Sequence, residues 1–238
     1  MKIHVPIYPC YSERCSSLQE SIIAHSVPVE EADMIVVIGG DGTLVKAVHE
    51  YWRHDLPICG INGGTLGFLM NPVEFLDSVV TSKPNKMLDI SLIELEVNGE
   101  HHSVFNEVCV GGDMATWATF SLNDKYDLIG SVKGGGMIFS TPQGSTGINK
   151  NNGGTILPLE SNLWSITGDK CERNVNHVIT PREIHVTIDS RMPISLWIDG
   201  NYKRIDNVKS FIIRDGYIVS LAYYDFDLFL KTRRDGAK

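Results

Sequence analysis

Residues 34–38, MIVVI, are an unbroken apolar run in which four of the five side chains are β-branched. That is the pattern of a strand covered on both faces of a parallel sheet. After the turn GGDG (39–42), apolar side chains recur at Leu44, Val45, Val48, Tyr51 and Trp52, one face of a helix, with Thr43 placed to cap it. The pattern stops before Pro57, and PICGIN (57–62) begins a second apolar run. Strand, helix and strand within about thirty residues predict a βαβ unit. Residues 2–7 alternate weakly, as a first strand would. A second glycine loop, GGTLGFL (63–69), follows PICGIN, and Asn71-Pro72 opens a helical stretch through Val80.

Beyond Lys83-Pro84 the period changes to two. ISLIELEV (90–97), the turn pair Asn98-Gly99 and HHSVFNEVCV (101–110) predict a hairpin. TWATFSL, MIFST, EIHVTID, SLWI, SFII and YIVSLAYY continue the strand texture, with turns expected at Asp199-Gly200 and Asp215-Gly216. The reading is an α/β N-terminal domain with a parallel sheet (1–84) and an all-β, sandwich-like C-terminal domain (85–223).

The charge changes what the chain can bind. A net charge of −8 and a pI near 5.4, with no basic arm or stripe, exclude a nucleic-acid or anionic-membrane partner. An anionic small molecule would need amides or cations gathered locally. The five cysteines, at 10, 15, 59, 109 and 171, form no C-x-x-C pair and read as reduced thiols. MKIHVPIYP lacks the shape of a signal peptide, and no apolar run reaches membrane length, so a cytoplasmic protein is expected. His101-His102 has no further ligand at metal spacing, and no protein metal site is expected.

Four stretches carry candidate chemistry. GGDGT (39–43) admits a plain strand-to-helix turn, or a phosphate cradle made of the amides of Gly39, Gly40 and Gly42 and the helix start at Thr43. In a cradle Asp41 is paradoxical. About 4 Å from a phosphate charge, a carboxylate is repelled by roughly 4 kcal/mol at a surface-like dielectric. A general base justifies that position, since such assistance is worth about 10²–10⁴ in rate. Asn62 leads the second glycine loop at the same sheet edge, where it can tie the two loops together. Asn106-Glu107 fits either a wet sheet face or a nucleoside clamp, because a carboxylate accepts from both hydroxyls of a ribose and an amide matches a purine edge. STPQGSTGINKNNGG (140–154) is too dense in hydroxyls, amides and glycines for ordinary packing.

Taken in order, GGDGT, NGGTLGFL (62–69), Asn106-Glu107, TPQGST (141–146) and Gly153-Gly154 resemble the NAD kinase family. Diacylglycerol and sphingosine-type lipid kinases and phosphofructokinases share GGDGT alone. The resemblance implies transfer of the γ-phosphoryl of ATP, or of polyphosphate, to the adenosine-ribose 2′-hydroxyl of NAD, with Mg²⁺. It makes Asp41 the base and gives the donor phosphates to Gly39, Gly40, Gly42 and Thr43. Asn106 and Glu107 would grip adenosine, with Thr141, Ser145 and Thr146 lining the same pocket. It further implies a C-terminal tail (224–238) returning to the first domain, and a homodimer or homotetramer.

Two positions depart from that pattern. GGG at 134–136 puts Gly135 where the family has aspartate, and Ile148 stands where an aromatic is usual. Neither touches Asp41. They leave open NAD against NADH as acceptor, and a binding module that has lost catalysis as the rival reading. Another diol or a lipid as acceptor is the third.

Overall fold

The βαβ unit forms where the periodicity places it. In the computed structural model, which describes residues 1–10, 12–65, 67–113, 116–127 and 129–236, the N-terminal elements are β1 (Ile3–His4), α1 (Glu13–Ile23), β2 (Met34–Gly39), α2 (Asp41–Tyr51), β3 (Ile58–Asn62) and α3 (Ser78–Thr81). Then come β4 (Lys86–Val97), β5 (Glu100–Val104), β6 (Glu107–Gly111), β7 (Ala118–Asn123), β8 (Gly130–Gly134), β9 (Gly136–Ser140) and α4 (Ile148–Asn151). The remainder are β10 (Trp164–Asp169), β11 (Asn176–Ile179), β12 (Ile184–Asp189), β13 (Ser195–Ile198), β14 (Lys203–Ile205), β15 (Ser210–Tyr223) and α5 (Phe226–Gly236). Leu66, in the middle of the second glycine loop, and the last two residues of the tail lie outside the described residues. The chain divides into two units, Met1–Ile90 with Val219–Lys238, and Ser91–Ile218.

In the first unit β1, β2 and β3 run parallel, and Leu221 of β15 pairs parallel with Ile58 of β3. Every residue of β2 is buried, as its unbroken apolar run requires. Met34, Val36 and Ile38 pack with Cys15 and Ile22 of α1, and Ala222 and Tyr224 join the same core. The opposite face carries Val37 and Gly60, and Leu44 of α2 approaches Gly60 there.

Two details differ from the expectation. Helix α2 begins at Asp41 with Gly40 as N-cap and no side-chain cap, so Thr43 lies inside the first turn. Its side chain packs under Gly39, where a Cβ would come within 2.7 Å of the Thr43 Cβ. The stretch after Pro72 splits into a 3₁₀ turn, Val73–Phe75, and the short α3, while keeping Val73, Phe75, Leu76, Val79 and Val80 on the core.

The second unit is a sandwich of antiparallel strands. One sheet contains β12, β7, β8, the residues of β15 up to Ile218, and the β4–β5 hairpin. The other has the order β11-β10-β9-β6-β13-β14. Their inner faces share one core that includes Leu95, Val108, Phe120, Phe139, Trp164, Val186 and Phe211, with Phe139 and Phe211 edge to face at 5.7 Å. Asn98 and Gly99 turn the hairpin with positive φ (51° and 79°), as their identities predict.

HHSVFNEVCV is two strands, β5 and β6, in different sheets. The chain changes sheets at Phe105-Asn106, where the alternation breaks, two apolar residues (Val104-Phe105) being followed by two polar ones (Asn106-Glu107). Asp215-Gly216 is no turn either, because β15 passes through it unbroken. Glycine is needed there because β4 lies too close: a Cβ would sit 2.8 Å from the Glu94 amide nitrogen and 2.9 Å from the Leu92 carbonyl oxygen. Among the described residues no helix is long and apolar enough to cross a membrane.

Candidate active-site residues

The first unit gathers Gly39, Gly40, Asp41, Gly42, Thr43 and Asn62 at the carboxyl ends of β2 and β3, where open parallel sheets bind ligands. The loops are tied by Gly63 N–H donating to the Gly39 carbonyl at 2.8 Å. Asn62 acts within its own loop, accepting from Gly64 N–H at 2.9 Å through Oδ1. Asp41 bridges the loops: its Oδ2 accepts from Phe68 N–H at 2.8 Å and its Oδ1 from Leu69 N–H at 3.0 Å. Burial raises the Asp41 carboxyl above the usual range, while those amides and the Arg233 guanidinium pull it back.

Arg233 is a residue that sequence reasoning missed. It lies in α5, is 6% exposed, and donates to the Phe68 carbonyl at 3.0 Å, so one peptide unit connects it to Asp41. Tyr223, also buried, donates to the Leu69 carbonyl at 3.3 Å. The two residues whose amides hold Asp41 are thus each contacted, through their carbonyls, from the chain's last segment. No local motif signals this, because the contacts span more than 150 residues.

Gly40 and Gly42 are different from Gly39. Nothing lies within 4 Å of a Cβ at either, and neither has positive φ. The fold does not demand glycine at 40 or 42; the missing side chains leave open space beside the turn.

In the second unit Asn106, Glu107, Thr141, Ser145 and Thr146 come together. The Asp199 carboxylate accepts three consecutive backbone N–H groups, from Phe105 (2.9 Å), Asn106 (2.6 Å) and Glu107 (3.1 Å), where the chain changes sheets. Asp199 sits at the β13–β14 turn with φ 48°. Both roles, turn and clamp, belong to the same residue. Thr141 donates to the carbonyls of Phe105 and Asn106, and Ser145 donates to Pro142 and accepts from Leu157 N–H. Those hydroxyls are buried and hold the TPQGST loop in place, whereas Thr146 is half-buried. Gly144 lies against Asn106 itself, where any Cβ would overlap the Asn106 backbone. Asn149 completes the loop from beneath, bonded to Ser145, Thr155 and Ser165.

Two features of this cluster fit a polar ligand. Asn106 Oδ1 is buried with no hydrogen-bond partner, an arrangement that costs free energy unless something binds there. Glu107 is 5% exposed, and burial together with the Asp199 charge pushes its carboxyl up to about 8. The two departures also meet: Gly135 and Ile148 both line one cavity of about 420 Å³, with Asp169, Asn152 and Trp197. An Asp169 carboxylate oxygen lies 3.8 Å from where a Cβ on residue 135 would be.

Comparison with known proteins points to kinases of NAD and NADH. Residues 15–78 match the model of the ATP-NAD kinase N-terminal domain. The NAD kinase of Rickettsia bellii is 29% identical over 222 residues, covering 87% of this chain and 86% of that protein. That of Rickettsia akari is 34% identical over 145 residues, 58% of this chain and 57% of that protein. Yeast NADH kinase complexed with NADH superposes with a TM-score of 0.81 at 14% identity, covering 97% of this chain and 85% of that one. An NAD kinase from Archaeoglobus fulgidus in complex with ATP gives 0.74 at 17% identity, covering 98% and 97%. At these identities the two structures establish a shared fold.

Proposed function

We propose that this chain, which belongs to the NAD kinase family, transfers the γ-phosphoryl group of ATP to the 2′-hydroxyl of the adenosine ribose of NAD, giving NADP. The observation that carries the reading is Asp41, a half-buried carboxylate clamped by two amides beside glycines left open at 40 and 42. Gly39, Gly40, Gly42 and Thr43 present amides and a helix start to the donor phosphates. Asp41 takes the proton of the 2′-hydroxyl as its oxygen bonds to the γ-phosphorus, and the bond to the β-phosphate oxygen breaks to release ADP. Asn106 Oδ1 and Glu107 bind the adenosine part, Thr146 lines that pocket, and Thr141, Ser145 and Asn62 shape the loops that do the binding.

Among the described residues no three His, Cys, Asp or Glu side chains cluster to hold a metal. The donor set therefore suits Mg²⁺ arriving on the donor's own phosphates, where it neutralises their charge. Polyphosphate is the other donor the glycine turns would accept. The reading also takes residues 1–84 with the tail 224–238 as the donor-side domain and 85–223 as the NAD-side domain. The protein is placed in the cytoplasm as a homodimer or homotetramer; a sedimenting mass of 26.4 kDa would rule out the oligomer.

The test is NADP formation from NAD and MgATP by wild type and Asp41→Asn. Turnover should fall by about 10²–10⁴ in the variant, with NAD binding kept. Equal turnover would remove Asp41 as base. No product from either protein, with NADH and polyphosphate also offered, would leave a binding module.

A further inference from the structure

The kinase reading makes no use of the cysteines, yet two of them sit in an unusual relation. Cys10 Sγ and Cys15 Sγ are 2.8 Å apart, and both are free thiols. A disulfide bond is about 2.0 Å long, so less than an ångström separates this pair from bonding distance. Cys10 is half-buried and opens onto a shallow cleft with Ser12, Glu13, Ser16 and Ser17. Cys15, in the first turn of α1, is buried against the glycine loops. A Cβ on Gly63 would lie 3.3 Å from both its Cβ and its Sγ, and that Sγ is 3.9 Å from the Ile38 carbonyl oxygen. Gly63 is the residue that bonds Gly39, so Cys15 forms part of the floor on which both loops rest.

We propose that Cys10 and Cys15 are a reversible dithiol–disulfide pair, and that closing it draws Cys15 off the floor of the glycine loops and weakens donor binding. The second half rests on the function proposed above; the first does not. The oxidant class is a low-molecular-weight disulfide, RSSR. Cys10, the accessible thiol, attacks as thiolate, breaks the RSSR bond and releases one RSH after protonation. Cys15 then loses its proton, attacks Cys10 Sγ in the mixed disulfide and releases the second RSH. Two protein thiols lose two electrons and two protons, and one RSSR is reduced to two RSH. Burial holds the Cys15 thiol up at about 11, which suits the resolving partner rather than the first attacker.

The full chain is equilibrated in reduced and oxidised glutathione, quenched by alkylation, and read by intact mass and peptide mapping. The expected product is a Cys10–Cys15 cross-link that dithiothreitol reverses, with Cys59, Cys109 and Cys171 still alkylated. Cys15→Ser should trap glutathione on Cys10, and Cys10→Ser should take up none. A stable glutathione adduct on Cys10 of the wild type, or no reaction there at all, overturns the pair. In the oxidised wild type the KM for MgATP should rise severalfold and recover on reduction, with Cys10→Ser indifferent to the buffer. A cross-link that leaves KM unchanged overturns the coupling to the loops. Reduced protein without kinase activity counts against the proposed function, while mass and mapping still decide the pair.

Discussion

Asp41, the proposed base, shows how much of a side chain's behaviour is set by residues far away in sequence. Its carboxyl is raised by burial and lowered by two amides and by Arg233. Replacing Arg233 by Gln removes a cation, so the carboxyl rises further, and a base that must be ionised then needs a higher pH. The acid limb of kcat/KM should shift upward in Arg233→Gln and stay near wild type in Arg233→Lys; a purely structural role would lower activity equally across the profile. Glu107 bears on stability as well. Its folded value of about 8 lies above the ordinary 4.5. Between those pH values the folded protein keeps a proton the unfolded chain has lost, and stability falls as pH rises through the window. Urea midpoints should decline from pH 5 to 8 in the wild type and decline less in Glu107→Gln. Asp41, Asn106 and Glu107 were legible because each sits in a compact motif. Arg233 and the triple clamp by Asp199 were not, since both bring together segments more than 90 residues apart.

Elements divide the same way between local and distant causes. The stretch β2–α2–β3 was readable because burial on both faces of a strand and on one face of a helix leaves periods that composition alone displays. Gly216 was misread because a turn and a close strand crossing ask for the same residue. The change of sheet at Asn106 was missed because strand-forming residues flank it on both sides, and only the broken alternation over Val104–Glu107 marks it. Thr43 was misplaced as a cap because the glycine turn ends sooner than its hydroxyl suggests. Glycine choice in α2 offers a test of function against fold. Gly42 has ordinary φ and open space around it, so Gly42→Ala should raise stability by about 0.5–1 kcal/mol, read in urea. If the proposed cradle holds the donor, the same change should raise the KM for MgATP, because the methyl group would occupy room assigned to phosphate.

For the whole molecule, the outstanding fact is that the first unit is discontinuous, assembled from Met1–Ile90 and Val219–Lys238. Its core includes Ala222 and Tyr224, and Phe229 is buried at 1% exposure. A variant lacking residues 219–238 should lose kinase activity altogether and give a broadened or low thermal transition for the first unit, read by calorimetry. Retained turnover would show that α5 is dispensable.

That division sets an order of events during synthesis. Ribosomes release a chain from its N-terminus, and domains form as their segments emerge. The second unit is contiguous and can close while translation continues, but the first has to wait for residues beyond 218 before Leu221 can pair with Ile58 and Arg233 can reach Phe68. A nascent or prematurely terminated chain therefore carries the GGDGT motif and the Phe68 and Leu69 amides without the Tyr223 and Arg233 contacts that brace the Leu69 and Phe68 carbonyls.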